Sequence, residues 1–172
     1  MPPIEAFARQ DCPIARPLSF LGERWTLLVL RELFLGRRRF DEIQAALGVA
    51  SNVLSARLAT LVDEGIAERR RYSERPERFE YRPTDKGRDL MPVMLELIRW
   101  SDKHMPVKGG PIRESTHLDC GHAFHAVQTC SHCGGEVNAG NVRTRVGPGA
   151  KPATRRAEER WLQRRGAATS AG

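Results

Sequence analysis

The sequence predicts a mainly helical fold with a single two-stranded hairpin, followed by a small module rich in cysteine and histidine, and three observations predict it. Apolar residues recur at three- and four-residue steps in four stretches between residues 18 and 105, the period of a helix that buries one face. The period drops to two over residues 66–83, as it does in strands. Residues 117–135, HLDCGHAFHAVQTCSHCGG, gather three of the four cysteines and four of the five histidines.

The first helical stretch is LSFLGERWTLLVLRELFL, residues 18–35, where Leu21, Trp25, Leu28, Val29 and Leu33 make a wide apolar stripe that Gly36 stops. Phe40, Ile43 and Leu47 mark a short second helix ended by Gly48. Ser51 is expected to cap a third, in which Leu54, Leu58 and Leu61 line one side before Gly65 closes it. IAERRRY and RFEYRP then alternate apolar and polar residues around SERPE, as two strands joined by a turn do. Thr84 is expected to cap a long last helix, residues 84–105, with Leu90, Met94, Leu97 and Ile98 as its stripe and Val93 and Trp100 at the margins. Within it, Pro92 predicts a kink or marks the true helix start. The expected domain of residues 1–105 is followed by a Pro- and Gly-containing linker at 106–116 and the Cys/His module at 117–140. A basic tail at 141–172 is expected to lack fixed structure apart from a short helix around RRAEERWLQRR.

Composition narrows the function. The 172 residues carry a net charge of +7, distributed as +3 over residues 1–108, −2 over 109–140 and +6 over 141–172, so the basic balance is mostly a property of the tail. A basic balance suits nucleic acid or another anionic partner. There is no signal-like start and no apolar run near eighteen residues, so a cytoplasmic protein without a membrane partner is expected. In that reducing compartment clustered cysteines point to metal or redox chemistry rather than to a disulfide framework. With no Gly-rich phosphate loop, no supported Ser-His-Asp order and no open metal site in the sequence, an enzyme is not expected.

A short helix, a tight turn at Gly48, a second amphipathic helix and a charged hairpin follow one another in the order of a winged helix-turn-helix. In that fold the second helix, residues 51–63, enters the major groove of a double-stranded DNA operator, and the hairpin, residues 72–81, reaches the backbone or the minor groove. With the three leucines turned inward, 100° per residue points Asn52, Ala56 and Ala59 outward, with Ser55 and Thr60 at the flanks. That face is small and polar, so Asn52 can bond an adenine edge while Ser51 and Ser55 reach bases or phosphates. At the hairpin tip Pro76 stiffens the turn between Arg75 and Arg78, although Glu74, Glu77 and Glu80 lie among the arginines.

Three stretches, CPIARPLSFLGERWTLLVLRELFLGRRRFDEI, SNVLSARLATLVDEGIAERRRYSERPERFEYRPTDKGRDLMPV and RWSDKH, together spanning residues 12–104, resemble the HxlR-type winged helix-turn-helix transcription regulators, which are relatives of the MarR group. The resemblance implies a homodimer built on the terminal helices of this region, bound as a transcription regulator, a repressor, to an operator with two half-sites. It places DNA contacts at Ser51, Asn52, Ser55 and Arg57 on the recognition helix and at Arg75 and Arg78 on the wing, and it brings in Arg38 through the GRRRF stretch, residues 36–40. Cys12 lies where some members carry a thiol that senses oxidants or electrophiles, so the resemblance makes it a candidate redox sensor and an oxidant or small molecule a candidate inducer. Arg9 and Arg16 flank it and favour a thiolate, whereas the adjacent Asp11 opposes one.

Residues 117–140 read as a zinc-ribbon-like module. HLDCG and CSHCG repeat one pattern, a donor, two spacers, Cys and Gly, and two spacers let both donors turn to one ion. His117, Cys120, Cys130 and Cys133 are the first choice of ligands, with His122, His125 and His132 as alternatives for the histidine. Four protein ligands leave no open position, so zinc here is expected to be structural. The competing reading is an adaptor that binds nucleic acid or protein through this module and the basic tail.

Overall fold

The computed structural model describes residue 7 and residues 9–169, with side chains described as far as residue 164. Residues 1–6, 8 and 170–172 of the expected first domain and tail lie outside the described residues. The chain divides into two compact units, one formed by the described parts of Met1–Gly22 and Val137–Gly172, the other by Glu23–Glu136.

The second unit holds the core. Its helices are α2 (Thr26–Phe34), α3 (Phe40–Leu47) and α4 (Ser51–Asp63), after which β1 (Ala67–Glu74) and β2 (Glu77–Pro83) form an antiparallel hairpin. A short turn of helix, α5 (Asp85–Arg88), leads into α6 (Met91–His104). The first unit contributes α1 (Ala15–Leu21) and α7 (Pro152–Thr169). Helix α2 packs on α3, α4 and β2, and α4 packs on β1.

Leu54, Leu58 and Leu61, the predicted inward face of α4, are at most 1% exposed, and Val29, Leu30, Ile43 and Ile66 are at most 2% exposed. Each such side chain contributes about 1.5–3 kcal/mol through removal from water. The expected turn glycines have left-handed backbone where the chain must reverse: Gly36 at φ 87°, Gly48 at 62° and Gly65 at 67°.

Several expectations are corrected. The single helix over residues 18–35 is two helices, because Trp25 takes φ 73°, which a right-handed helix cannot continue through. Within the stripe, Leu28 is 39% exposed and the fully buried Leu30 takes its place. Ser51 is the first residue of α4 and not its cap, a position held by Ala50 in extended conformation. Thr84 does cap a helix, its Oγ1 accepting from the Gly87 N–H at 3.1 Å, but that helix ends at Arg88 and α6 begins at Met91 with Pro92 in its first turn. The tail is not confined to a short helix, since α7 runs for 18 residues. Its start is held by Asp11, whose carboxylate accepts from the Lys151 backbone N–H at 2.6 Å and the Thr154 hydroxyl at 2.7 Å. Those bonds, the Thr154 one foremost, hold the Asp11 carboxyl below the ordinary aspartate range.

The join between hairpin and α5 is close. The Thr84 hydroxyl donates to the Gly65 carbonyl at 2.6 Å, and the Thr84 N–H donates to the Ile66 carbonyl at 3.0 Å. Gly87 sits against the same carbonyl, so closely that a Cβ there would lie 2.1 Å from the Ile66 oxygen. The end of α4 and the exit of the wing are thereby fixed to one another.

Candidate nucleic-acid interface

The recognition helix owes its orientation to its buried leucines. With those inward, Ser51, Asn52, Ser55, Ala56 and Ala59 are exposed on the other side, and none of them is large enough to keep a duplex at a distance. The Gln44 amide donates to the Val49 carbonyl at 3.2 Å and so braces the turn between α3 and α4. Arg57 is turned elsewhere. Its guanidinium pairs with Glu23 at 3.0 Å, with the side chain only 19% exposed, and five residues at 100° each set it well around the helix from Asn52.

The GRRRF stretch is held through acids. Glu32, 1% exposed, is paired with both Arg31 and Arg37, so a buried charge is matched across the start of the turn. Glu42 accepts from the backbone N–H groups of Arg38 and Arg39, each at 3.0 Å. These two bonds, the Arg39 one first, hold its carboxyl below the ordinary glutamate range. The Arg38 carbonyl accepts from the Tyr81 N–H at 2.8 Å, and Arg39 bridges to Glu80 as a short third strand beside the wing. Arg38 is half-buried, whereas Arg39 is exposed with its guanidinium 4.8 Å from the centre of the Tyr72 ring.

Along the shaft of the wing the arginines are matched locally. Arg70 pairs with Glu68 at 2.7 Å, Arg82 with Glu80 at 2.7 Å and Arg71 with Glu77 at 3.4 Å, while Arg69 stacks on Phe79. The acids that made the sequence of the tip look mixed are thus engaged with the shaft. Arg75 and Arg78 are exposed at the tip and make no ion pair among the described residues. The interface therefore combines a small polar helix face with two guanidiniums at the end of a hairpin.

Sequence reasoning missed Arg39, Glu23 and the two positioning acids. Glu42 carries the signal of a glutamate three residues into a helix, reaching back to N–H groups that precede it. Glu32 carries a different one, a lone acid inside LLVLRELFL, which calls for buried partners.

Cys12 is half-buried and not in a disulfide. Of the expected metal ligands, His117 Nδ1 lies 3.3 Å from the Cys120 sulfur, and neither Cys130 nor Cys133 is in a disulfide. Among the described residues no three His, Cys, Asp or Glu side chains stand together at metal-holding spacing. His122, His125 and His132 are exposed. No single helix among the described residues is long and apolar enough to cross a membrane.

A family model described as HxlR-like helix-turn-helix matches residues 20–108. The chain is 44% identical over 138 residues to an HTH-type transcriptional regulator of Mycobacterium bovis, Mb3122, covering 80% of this chain and 87% of that one. Among solved structures it is similar to PA1607, described as a transcription factor, with a TM-score of 0.74 and 32% identity over 83% of this chain and 99% of that one. A second, PA1374 from Pseudomonas aeruginosa, gives a TM-score of 0.60 and 34% identity over 85% of this chain and 99% of that one. All three similarities extend beyond the stretch matched by the family model.

Proposed function

The chain belongs to the HxlR-like helix-turn-helix family, whose members are transcription regulators and not enzymes, and from that premise we propose that it represses transcription as a dimer on a two-half-site operator. DNA binding by a helix-turn-helix comes with the family; the operator contacts are our reading. Asn52 and Ser55 read base edges in the major groove, Ser51 contacts bases or phosphate, and Arg75 and Arg78 meet phosphate or the minor groove. Arg38 and Arg57 act by positioning, Arg38 at the junction with β2 and Arg57 by tying α4 to Glu23.

The observation that carries this reading is the division of α4 into a fully buried leucine face and an exposed face of Ser51, Asn52, Ser55, Ala56 and Ala59. A helix that only needed to be wet would gain from long charged residues at those positions. Small polar ones suit close approach to base edges. Dimerisation is supported by α6, where Val93, Leu97 and Trp100 are each more than half exposed along one stripe, an apolar face that a second copy related by a two-fold axis covers. Repression follows from occupancy, because a dimer seated over two half-sites excludes other proteins from that duplex.

Selection of bound fragments from genomic DNA that includes the promoter region of the protein's own gene tests the reading. The expected result is enrichment of one sequence with two half-sites about one helical turn, roughly 34–36 Å, apart, abolished by the double substitution Asn52→Ala and Ser55→Ala. Enrichment that survives the double substitution contradicts it and favours an adaptor working through another surface.

A further inference from the structure

Residues 115–136 form two hairpins that repeat one geometry thirteen residues apart. The first pairs β3 (Ser115–Thr116) with β4 (Ala123–Phe124), and the second is closed by the bridge from Thr129 to Glu136. In the first, the His117 N–H donates to the His122 carbonyl at 2.9 Å and the Gly121 N–H to the His117 carbonyl at 2.8 Å. In the second, the Cys130 N–H donates to the Gly135 carbonyl and the Gly134 N–H to the Cys130 carbonyl, both at 2.8 Å. Gly121 and Gly134 share the same left-handed backbone, φ 72°. His117 therefore corresponds to Cys130, and Cys120 to Cys133.

Both loops are shaped around their donors. In the second loop the Cys133 sulfur lies against the closing turn, 3.5 Å from where a Cβ on Gly135 would stand. In the other loop His117 Nδ1 stands 3.3 Å from the Cys120 sulfur, while Nε2 of the same ring lies 3.7 Å from the Asp119 carboxylate. A histidine that ligates through one nitrogen and faces a carboxylate with the other is the usual arrangement around a bound metal. Burial does not explain these hairpins, since Leu118 is 92% exposed and Phe124 37%, and a module this small needs a staple to hold its parts together.

We propose that these two hairpins are the halves of a structural zinc site, one ion per chain held by His117 through Nδ1 and by Cys120, Cys130 and Cys133. Each hairpin supplies two of the four donors, and since no three of them stand together at metal-holding spacing among the described residues, binding brings the two hairpins together. Three thiols lose their protons on binding, so metal uptake releases protons and weakens in acid. Asp119 acts as a positioning residue that fixes the His117 ring. The site goes beyond the DNA-binding reading and stands independently of it.

The test uses the full chain, purified under reducing conditions, titrated with cobalt(II) and then with zinc. The expected result is one cobalt per chain, with the visible absorption of a tetrahedral ion and sulfur-to-cobalt charge-transfer bands, displaced by zinc. Cys130→Ser, Cys133→Ser and His117→Ala should each remove or reshape that spectrum, while His132→Ala leaves it unchanged. Asp119→Ala should keep the tetrahedral spectrum with affinity about 10–100-fold lower. Circular dichroism of each variant separates loss of a ligand from loss of the helical fold. A chain that is helical yet gives no tetrahedral cobalt spectrum, or a spectrum that survives Cys130→Ser, overturns the proposal.

Discussion

Glu42 makes its contribution to the interface through an ionised carboxylate that the Arg38 and Arg39 N–H groups hold in place. Its pKa in the fold lies below the ordinary value of 4.5. The stability it adds is therefore present above the unfolded pKa and is lost as the pH falls through the lowered folded value. Glu42→Gln should lower the thermal midpoint at neutral pH, and the gap to the unsubstituted chain should close on acidification through that lowered pKa, as thermal melts across the acid range will show. Arg57 gives a second residue-scale outcome. Because it pairs with Glu23 away from the groove face, Arg57→Ala should cost roughly 0.2–1 kcal/mol in pair coupling, measured by a double-mutant cycle with Glu23→Ala, and leave base preference unchanged. At this scale Leu54, Leu58 and Leu61 were legible because burial imposes a period. Arg57 and Ser51 were not, since an arginine's partner across 34 residues and a one-residue shift of the cap leave no trace in the pattern.

Elements were legible where glycine or a period change marks their ends. Gly48 and Gly65 bound α4, and the alternation over residues 66–83 gives the wing with its turn at Arg75 and Pro76. The break before α2 escaped notice because it rests on a left-handed Trp25, a conformation that no side-chain preference announces. The break between α5 and α6 was half legible, through Pro92. Gly87 hides a further constraint, as its role is the absence of a Cβ beside the Ile66 carbonyl. Since the neighbour is backbone and cannot swing away, Gly87→Ala should destabilise the fold by roughly 1–3 kcal/mol, read as a lower urea midpoint with an unchanged slope.

For the whole molecule, the winged helix-turn-helix was readable because its element order is itself the signal, and the family comparisons agree with it. The division of the chain was not, because the grouping of the N-terminal segment with the tail depends on Asp11 meeting Lys151 and Thr154 across 140 residues of sequence. Spacing alone points to the metal ligands, and the structure adds the repeated backbone geometry of the two hairpins and the contact of His117 with Cys120 in the first. The dimer proposal rests on α6. Leu97→Asp puts a charge into its exposed stripe beside Val93 and Trp100, and light scattering should then find a monomer at micromolar concentration where the unsubstituted chain is a dimer.

Fluorescence anisotropy on the selected operator and on a scrambled duplex, between 50 and 200 mM salt, tests most directly the claim that the α4 face reads sequence while the wing tip supplies charge. Asn52→Ala should lose about 1–3 kcal/mol on the operator and almost nothing on the scrambled duplex, so the preference narrows. Arg78→Ala should weaken both alike and reduce the salt slope by about one. Equal weakening of both duplexes by Asn52→Ala, or a preference narrowed by Arg78→Ala with the slope unchanged, contradicts this division between helix face and wing tip.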